Sequence, residues 1–346
     1  MKSGIKLQRA FYALLLAIYT LSAISGCKRN ENRERIARSV GAGSEILVVT
    51  QNTEQWQGLI GETLRTYFGQ PQYGLPQDEP IYRLSNINLD KLSDMFKKHR
   101  NILAVELNST LTEAVIETRS DLWAKPQRVV KIIAPDPESW IAEFEKNQEG
   151  IRLLFDRAER ERLLNILRPT ANATVVEQVA RNFGIKLVVP DGFFVAKHEP
   201  GFMWLRRETS ELSYGIVIYS LPYRDTLDLD PRFLIGRRDS VMQRNIPGPV
   251  QGSFMSTEKE FVPARVINTT NYVTPFAAEM RGMWNVVGDF MAGPFLSYTF
   301  PDPRNGRLVT IEGFVYLPNK PKRDHLRQLE AILYSLSFVD PEAATR

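Results

Sequence analysis

The sequence has one cysteine and three histidines among 346 residues. A lone cysteine, Cys27, closes no disulfide within the chain, and a thiolate metal site needs several. His99, His198 and His325 lie far apart and none stands in a ligand-spaced pair, so no metal site is expected. Phosphate-loop, calcium-loop and His-Glu-x-x-His patterns are missing; Gly41-Ala42-Gly43 lacks the Lys-Ser/Thr that would have to follow. Gly252-Ser253-Phe254 lacks the second glycine of a hydrolase nucleophile elbow. After residue 27 no apolar run approaches the ~20 residues of a membrane-spanning helix. Charge of one sign is scarce as well. The net charge of +4 arises mainly in the first 26 residues, where Lys2, Lys6 and Arg9 face no acid. Subtracting those three from 44 basic residues leaves 41 against 40 acidic ones. A body so nearly neutral offers no electrostatic footprint for nucleic acid. No cofactor and no catalytic residue is read from the sequence.

What is present begins at the N-terminus. Three cations precede an uncharged run from Ala10 to Gly26, rich in Leu, Ala, Ile and Tyr, with small residues at its end. That is the pattern of a secretory signal. Leu21-Ser22-Ala23-Ile24-Ser25-Gly26-Cys27 resembles the lipobox of bacterial lipoproteins. The resemblance implies diacylglycerol on the Cys27 sulfur, cleavage before Cys27 and acylation of the new amino terminus. One acyl chain holds a bilayer marginally, whereas two or more anchor stably. The expected partner of this end is therefore the lipid bilayer. Lys28, rather than aspartate, follows the cysteine, which by resemblance to the sorting rule of such proteins implies the outer membrane.

Residues 1–26 are thus read as signal peptide and 27–44 as a polar, flexible tether ending in Gly41-Ala42-Gly43-Ser44. Two units follow, 45–170 and 171–340. In the first, Glu45–Thr50 reads as a short buried strand. Trp56, Leu59, Ile60, Leu64 and Tyr67 recur at helical spacing, and Leu89–Lys98 reads as a second helix. Strands are expected at Arg100–Leu107 and Arg128–Ala134, and a long helix over Glu138–Leu167. Its Glu159–Arg162 run reads as a solvated face. In the second unit, helix Thr174–Phe183 is closed by Gly184. Phe295–Phe300 and Leu308–Leu317 alternate as a hairpin around Asp302–Gly306, and a last helix covers Lys322–Leu336. Runs of strands with helices near the ends of each half predict an α+β fold, antiparallel sheets with packed helices, arranged as two similar α/β sandwich units.

Several segments together resemble one family of bacterial lipoproteins, domain-of-unknown-function family 4837. They are Leu75–Pro80, Arg100–Leu103, Ile246–Pro249, Glu279–Trp284, Asp289–Phe295 and Glu312–Tyr316. The resemblance covers nearly all of the mature chain. It implies a lipoprotein of a Gram-negative envelope and carries no activity. Phe183–Gly192 and the terminal helix with Ser-Leu-Ser-Phe also resemble the PsbP/Mog1-like sandwich.

Two acidic or charged groupings stand out. Asp78-Glu79 lies between prolines, where adjacent side chains of an extended segment point opposite ways. The pair is read as fixing a turn or accepting backbone N–H bonds. The Arg281–Phe295 segment mixes charge with large apolar side chains. Arg281, Trp284 and Asp289, joined by Glu312, are the candidate ligand groove; the competing reading is a packed loop with an internal Arg281–Asp289 pair. Asp225-Thr226-Leu227 and Asp239-Ser240-Val241 resemble the acceptor sites of an envelope O-glycosylation system. The leading function is a non-catalytic binding or assembly factor with an envelope protein partner. A glycan- or solute-binding protein, using aromatics such as Trp56, Trp123, Trp204 and Trp284, and a hydrolase with a carboxylate site remain as alternatives. The lipobox makes a direct prediction. Cells fed a labelled fatty acid should label the wild-type protein and leave Cys27→Ala unlabelled and released from the membrane fraction; equal label in both would remove the anchor.

Overall fold

The computed structural model describes residues 36–270 and 272–339, and those from Arg38 onward form one compact unit. The signal peptide and Cys27 lie outside the described residues. Folded structure begins before the expected end of the tether. The Ser39 N–H donates to the Lys125 carbonyl at 3.1 Å, and Val40 exchanges 2.9 Å bonds with Lys98 and Arg100. The stretch from Ser39 to Ser44 is therefore bonded to the body, which corrects that part of the tether.

The first sheet is built from β1 (Glu45–Thr50), β2 (Arg83–Asn88), β3 (Asn101–Leu107), β4 (Val115–Ser120) and β5 (Arg128–Ala134), in the order β2-β1-β3-β5-β4. Only β4 and β5 pair antiparallel; the other three pairings are parallel. This differs from the expected antiparallel sheet. The reason is in β1, where Ile46 and Val48 enter one core while Leu47 and Val49 enter another. A strand apolar on both faces suits the middle of a parallel sheet. Helices α1 (Leu59–Phe68) and α2 (Pro137–Leu167) cover one face with Leu64, Phe68, Trp140, Phe144 and Phe155. Asp136 caps α2 by accepting the Ser139 N–H at 2.7 Å, with Pro137 in the first turn. The helix expected at Leu89–Lys98 is instead two short turns, Leu89–Lys91 and Asp94–Lys97.

The Glu159–Arg162 run is also different from its solvated reading. Glu159 and Arg162 are buried. Arg162 Nη1 meets Glu159 Oε1 at 2.7 Å, and Asn101 Nδ2 donates to the same oxygen at 2.7 Å. Arg162 also donates to the carbonyls of Arg100 and Pro126.

The second half opens with α3 (Ala173–Phe183), whose N-cap is Asn172 and whose C-cap is Gly184 at φ +62°. A left-handed terminator of that kind favours glycine. Its sheet uses β6 (Phe194–Glu199), β7 (Phe202–Glu208), β8 (Ser213–Pro222), β9 (Phe254–Thr257), β10 (Arg265–Thr269), β11 (Ala277–Val287), β12 (Ala292–Asp302) and β13 (Arg307–Tyr316). The order is β9-β11-β12-β13-β8-β7-β6, with β10 beside β9 on the outer side of β11, and all pairings are antiparallel. α4 (Pro231–Asn245) packs one face with Leu234 and Met242. α3 and α5 (Arg323–Tyr334) pack the other. The chain is α+β, as expected. The likeness between the halves does not extend to strand order or direction.

The halves meet at α5. Leu326, Leu329, Ile332 and Leu333 enter the core of the second sheet. At its N-terminus, Glu79 accepts the Lys322 and Arg323 N–H groups at 2.6 and 3.1 Å. One half thus caps a helix of the other, and Glu79 takes the backbone-accepting role read for it. Beside it Gly74, at φ +89°, approaches Gly282 so closely that a Cβ would lie 3.2 Å from the Gly282 nitrogen. A buried charged cap is worth about 1–3 kcal/mol. Glu79→Ala should lower the urea midpoint accordingly with little change in slope. An unchanged midpoint would show that the cap is not holding α5.

Candidate functional site

The four residues singled out from the sequence do not share a groove. Glu312 lies on β13 facing α4, wholly buried, and takes two bonds from Arg238 at 2.7 and 2.8 Å. Arg238 also donates to Thr257 Oγ1 at 2.8 Å and lies 3.8 Å over the Phe295 ring. Burial raises the Glu312 pKa against the pull of Arg238. Trp284 is buried on the same side, edge-on to Phe314. Asp289 sits in the β11–β12 turn and accepts the Met291 N–H at 3.0 Å. Arg281 points to the opposite face of the sheet. The expected Arg281–Asp289 pair does not form: Arg281 bonds Glu279, and its Nη2 meets Glu330 at 2.8 Å. Period-two alternation explains the separation, since odd and even positions of paired strands face opposite ways.

Arg281 reaches a cavity. It lines a cleft of about 700 Å³ between the two halves. One wall comes from the first half: Tyr67 at the end of α1, the loop from Gln70 to Tyr73, and Arg152, Asp156 and Arg160 on α2. Those last three recur every fourth residue and so share one helix face. The other wall comes from the second half: β10 with Arg265 and Ile267, Glu279 and Arg281 on β11, and Arg327, Glu330 and Tyr334 on α5. Sequence reasoning missed most of these. The helical spacing in α2 and α5 was the available signal, but a charged stripe looks the same whether it faces water or a neighbouring domain.

The floor of the cleft is a chain of ion pairs. Arg160 approaches Glu330 at 3.5 Å and lies 3.9 Å over the Tyr334 ring. Arg327 approaches Asp156 at 3.5 Å and covers Tyr82, whose hydroxyl donates to Asp156 at 2.8 Å. Burial works against ionised Glu330, yet Arg281, Arg160 and Arg327 overcome it and press its pKa down to about 2. Burial likewise opposes the charge of Arg281, and Glu279 and Glu330 more than offset it, so its pKa stands well above the ordinary value. Tyr298 beneath them is pushed up by burial and by the same two carboxylates. Glu330 and Arg281 thus stay charged, and Tyr298 stays neutral, across the neutral range. General acid–base catalysis asks for the opposite, a group poised near the working pH.

Elsewhere, no cluster of three or more His, Cys, Asp and Glu able to hold a metal occurs among the described residues. The aromatics considered for a glycan platform are dispersed: Trp284 is core, Trp56 and Trp204 lie under Arg65 and Arg206, and Trp123 is on the first half. Thr226, opening a short 3-10 helix, and Ser240, on α4 with its hydroxyl donating to the Gly236 carbonyl, are both exposed. No helix among the described residues is long and apolar enough to cross a membrane.

Two family models divide the chain. Domain of unknown function DUF4837 matches residues 172–335, and domain of unknown function DUF8532 matches residues 39–168. Residues 172–335, most of the second half, are thus similar to DUF4837. The resemblance read across nearly the whole mature chain is narrower than expected, because Leu75–Pro80 and Arg100–Leu103 fall in the other family's span. No curated protein matches the chain. Among solved structures, the Saccharomyces cerevisiae Ran-binding protein Mog1p is similar at 14% identity, over 46% of this chain and 92% of its own, with a TM-score of 0.29. LpqN of Mycobacterium tuberculosis, described as involved in cell envelope biogenesis, is similar at 12% identity, over 45% and 83%, with a TM-score of 0.27. Neither likeness carries an activity to this chain.

The depressed Glu330 pKa sets a pH dependence. A carboxylate whose folded pKa lies near 2, below the ordinary 4.5, stabilises the fold above 4.5 and loses that contribution as pH falls toward 2. The contribution is on the order of 3 kcal/mol. Glu330→Gln should lower stability at pH 7 and flatten the acid limb between pH 4.5 and 2 in urea titrations. A variant with the wild-type limb would show that Glu330 is not held this way.

Proposed function

We propose that this protein is a lipid-anchored envelope component, held at the outer membrane by acylated Cys27, that binds a protein partner in the cleft between its halves and does not transform it. The observation that carries the reading is the Arg281–Glu330–Arg160 floor, whose groups are locked as charges by one another. Such a floor can orient a ligand, because paired guanidinium and carboxylate groups offer donors and acceptors in fixed positions. None of its three groups titrates near neutrality. The hydrolase alternative finds its carboxylates already engaged: Glu79 caps α5, Glu312 is bound by Arg238, and Glu279 and Glu330 are bound by Arg281. The anchor rests on the Ile24-Ser25-Gly26-Cys27 pattern and the outer-membrane address on Lys28.

A photo-crosslinking residue placed at Asn268, at the rim of the cleft, tests the binding reading in intact envelopes. Leu122, exposed on the first half, is the control position. A discrete adduct from position 268, weaker when Cys27→Ala releases the protein, is the expected result. Position 268 giving nothing beyond position 122 would sink the reading.

A further inference from the structure

The cleft is bordered by an open strand edge. β10 pairs with β11 through Arg265↔Arg281, Ile267↔Glu279 and Thr269↔Ala277, and with no other strand among the described residues. No further backbone bond to Val266, Ile267, Asn268 or Thr269 occurs among the described residues. Alternate N–H and C=O groups of β10 therefore point outward, the template that strand addition uses. Other sheet edges exist, but β4 guards its own with Glu117 and Arg119. The β10 edge instead carries Ile267, 58% exposed, beside a cavity.

Cross-strand partners share a face, so Arg265, Ile267 and Thr269 stand on the cleft side with Arg281 and Glu279. This sets two guanidinium groups directly opposite each other, an arrangement that is unfavourable unless anions intervene. Arg281 has Glu279 and Glu330. Arg265 lies 3.6 Å over the Tyr73 ring and has no carboxylate within ion-pair distance among the described residues. One cation on this edge is left without an anion.

We propose that the occupant of the cleft is an extended polypeptide segment that adds as a strand to β10, placing a carboxylate against Arg265, an aliphatic side chain against Ile267 and a hydroxyl side chain against Thr269. This deepens the binding reading above and rests on it. The spacing follows from the period of two: acid, any residue, aliphatic, any residue, Thr or Ser, in either direction. A strand matching the five residues of β10 spans about 17 Å. A free anion would satisfy Arg265 alone, and a sugar would not match the strand repeat of main-chain donors and acceptors.

The probe is a synthetic peptide, Gly-Ser-Thr-Thr-Val-Ser-Glu-Ser-Gly, added to the full-length protein in detergent and followed by amide hydrogen exchange. Exchange of the β10 amides should slow about tenfold at saturation. Arg265→Glu should weaken binding about tenfold, and a peptide with Lys in place of Glu should recover it on that variant. A peptide carrying proline at alternate positions, which cannot donate there, should not bind. Four results overturn the proposal: no binding at about 1 mM peptide; binding without protection of β10; equal protection by free glutamate; or protection that needs only higher protein concentration and tracks dimer formation, which would assign the edge to a second copy of this chain. A cross-link at position 268 that persists while β10 stays unprotected would leave the binding reading standing and remove strand addition alone.

Discussion

Helix α5 is the element on which the arrangement of the molecule depends, because its two sides obey different physics. One side is aliphatic and is driven into the second sheet's core by burial of Leu326, Leu329, Ile332 and Leu333. The other side is charged and meets the first half through Arg323, Arg327 and Glu330. Its N-terminal amides are satisfied by Glu79, a carboxylate from the partner half. Each half by itself would leave something of α5 unmet: without the first, orphan amides and exposed charges; without the second, an exposed apolar stripe. The cleft exists because this helix separates the two sheets while belonging to both.

Ion pairs are used here in two ways. Arg238 and Glu312 are wholly inside the second half, under α4, where desolvation opposes both charges and excellent geometry is required to hold them. The pair specifies how α4 sits on the sheet and has no route to a ligand. The Arg160–Glu330–Arg281 chain is at a boundary between halves and is partly open to the cleft. It joins α2, α5 and β11 by charge, so a ligand touching it touches the joint between the two sheets.

Local signals were legible in the sequence. Gly184 after α3 and the Asp302–Gly306 turn between β12 and β13 each act through neighbours in the chain. Sheet direction in the first half was harder. β2 is Arg-Leu-Ser-Asn-Ile-Asn, a polar edge strand that reads as loop, and without it the β1–α1–β2 crossover that implies parallel pairing is invisible. The burial of Glu159 and Arg162 depends on Asn101 and Arg100, 58 and 62 positions earlier, and a charge run carries no mark of such partners. The candidate groove failed for a related reason. Arg281, Trp284 and Glu312 are close in space as backbone, but the parity of their strand positions sends Arg281 one way and the other two the opposite way. The cleft itself draws on segments from residue 67 to residue 334, and no spacing rule assembles those.

The bonds at the start of the folded body have a mechanical meaning. Tension arriving along the chain from the proposed anchor would meet the bonded stretch from Arg38 to Val40, which pairs with Ala124–Lys125 and bonds Lys98 and Arg100 near the starts of the parallel strands. Four residues later the Ser44 hydroxyl donates to Asp324 in the first turn of α5 at 2.9 Å. Under the proposed anchoring, a pull on the chain would be divided between the first sheet and the helix that separates the halves, and would bear on the wall of the cleft.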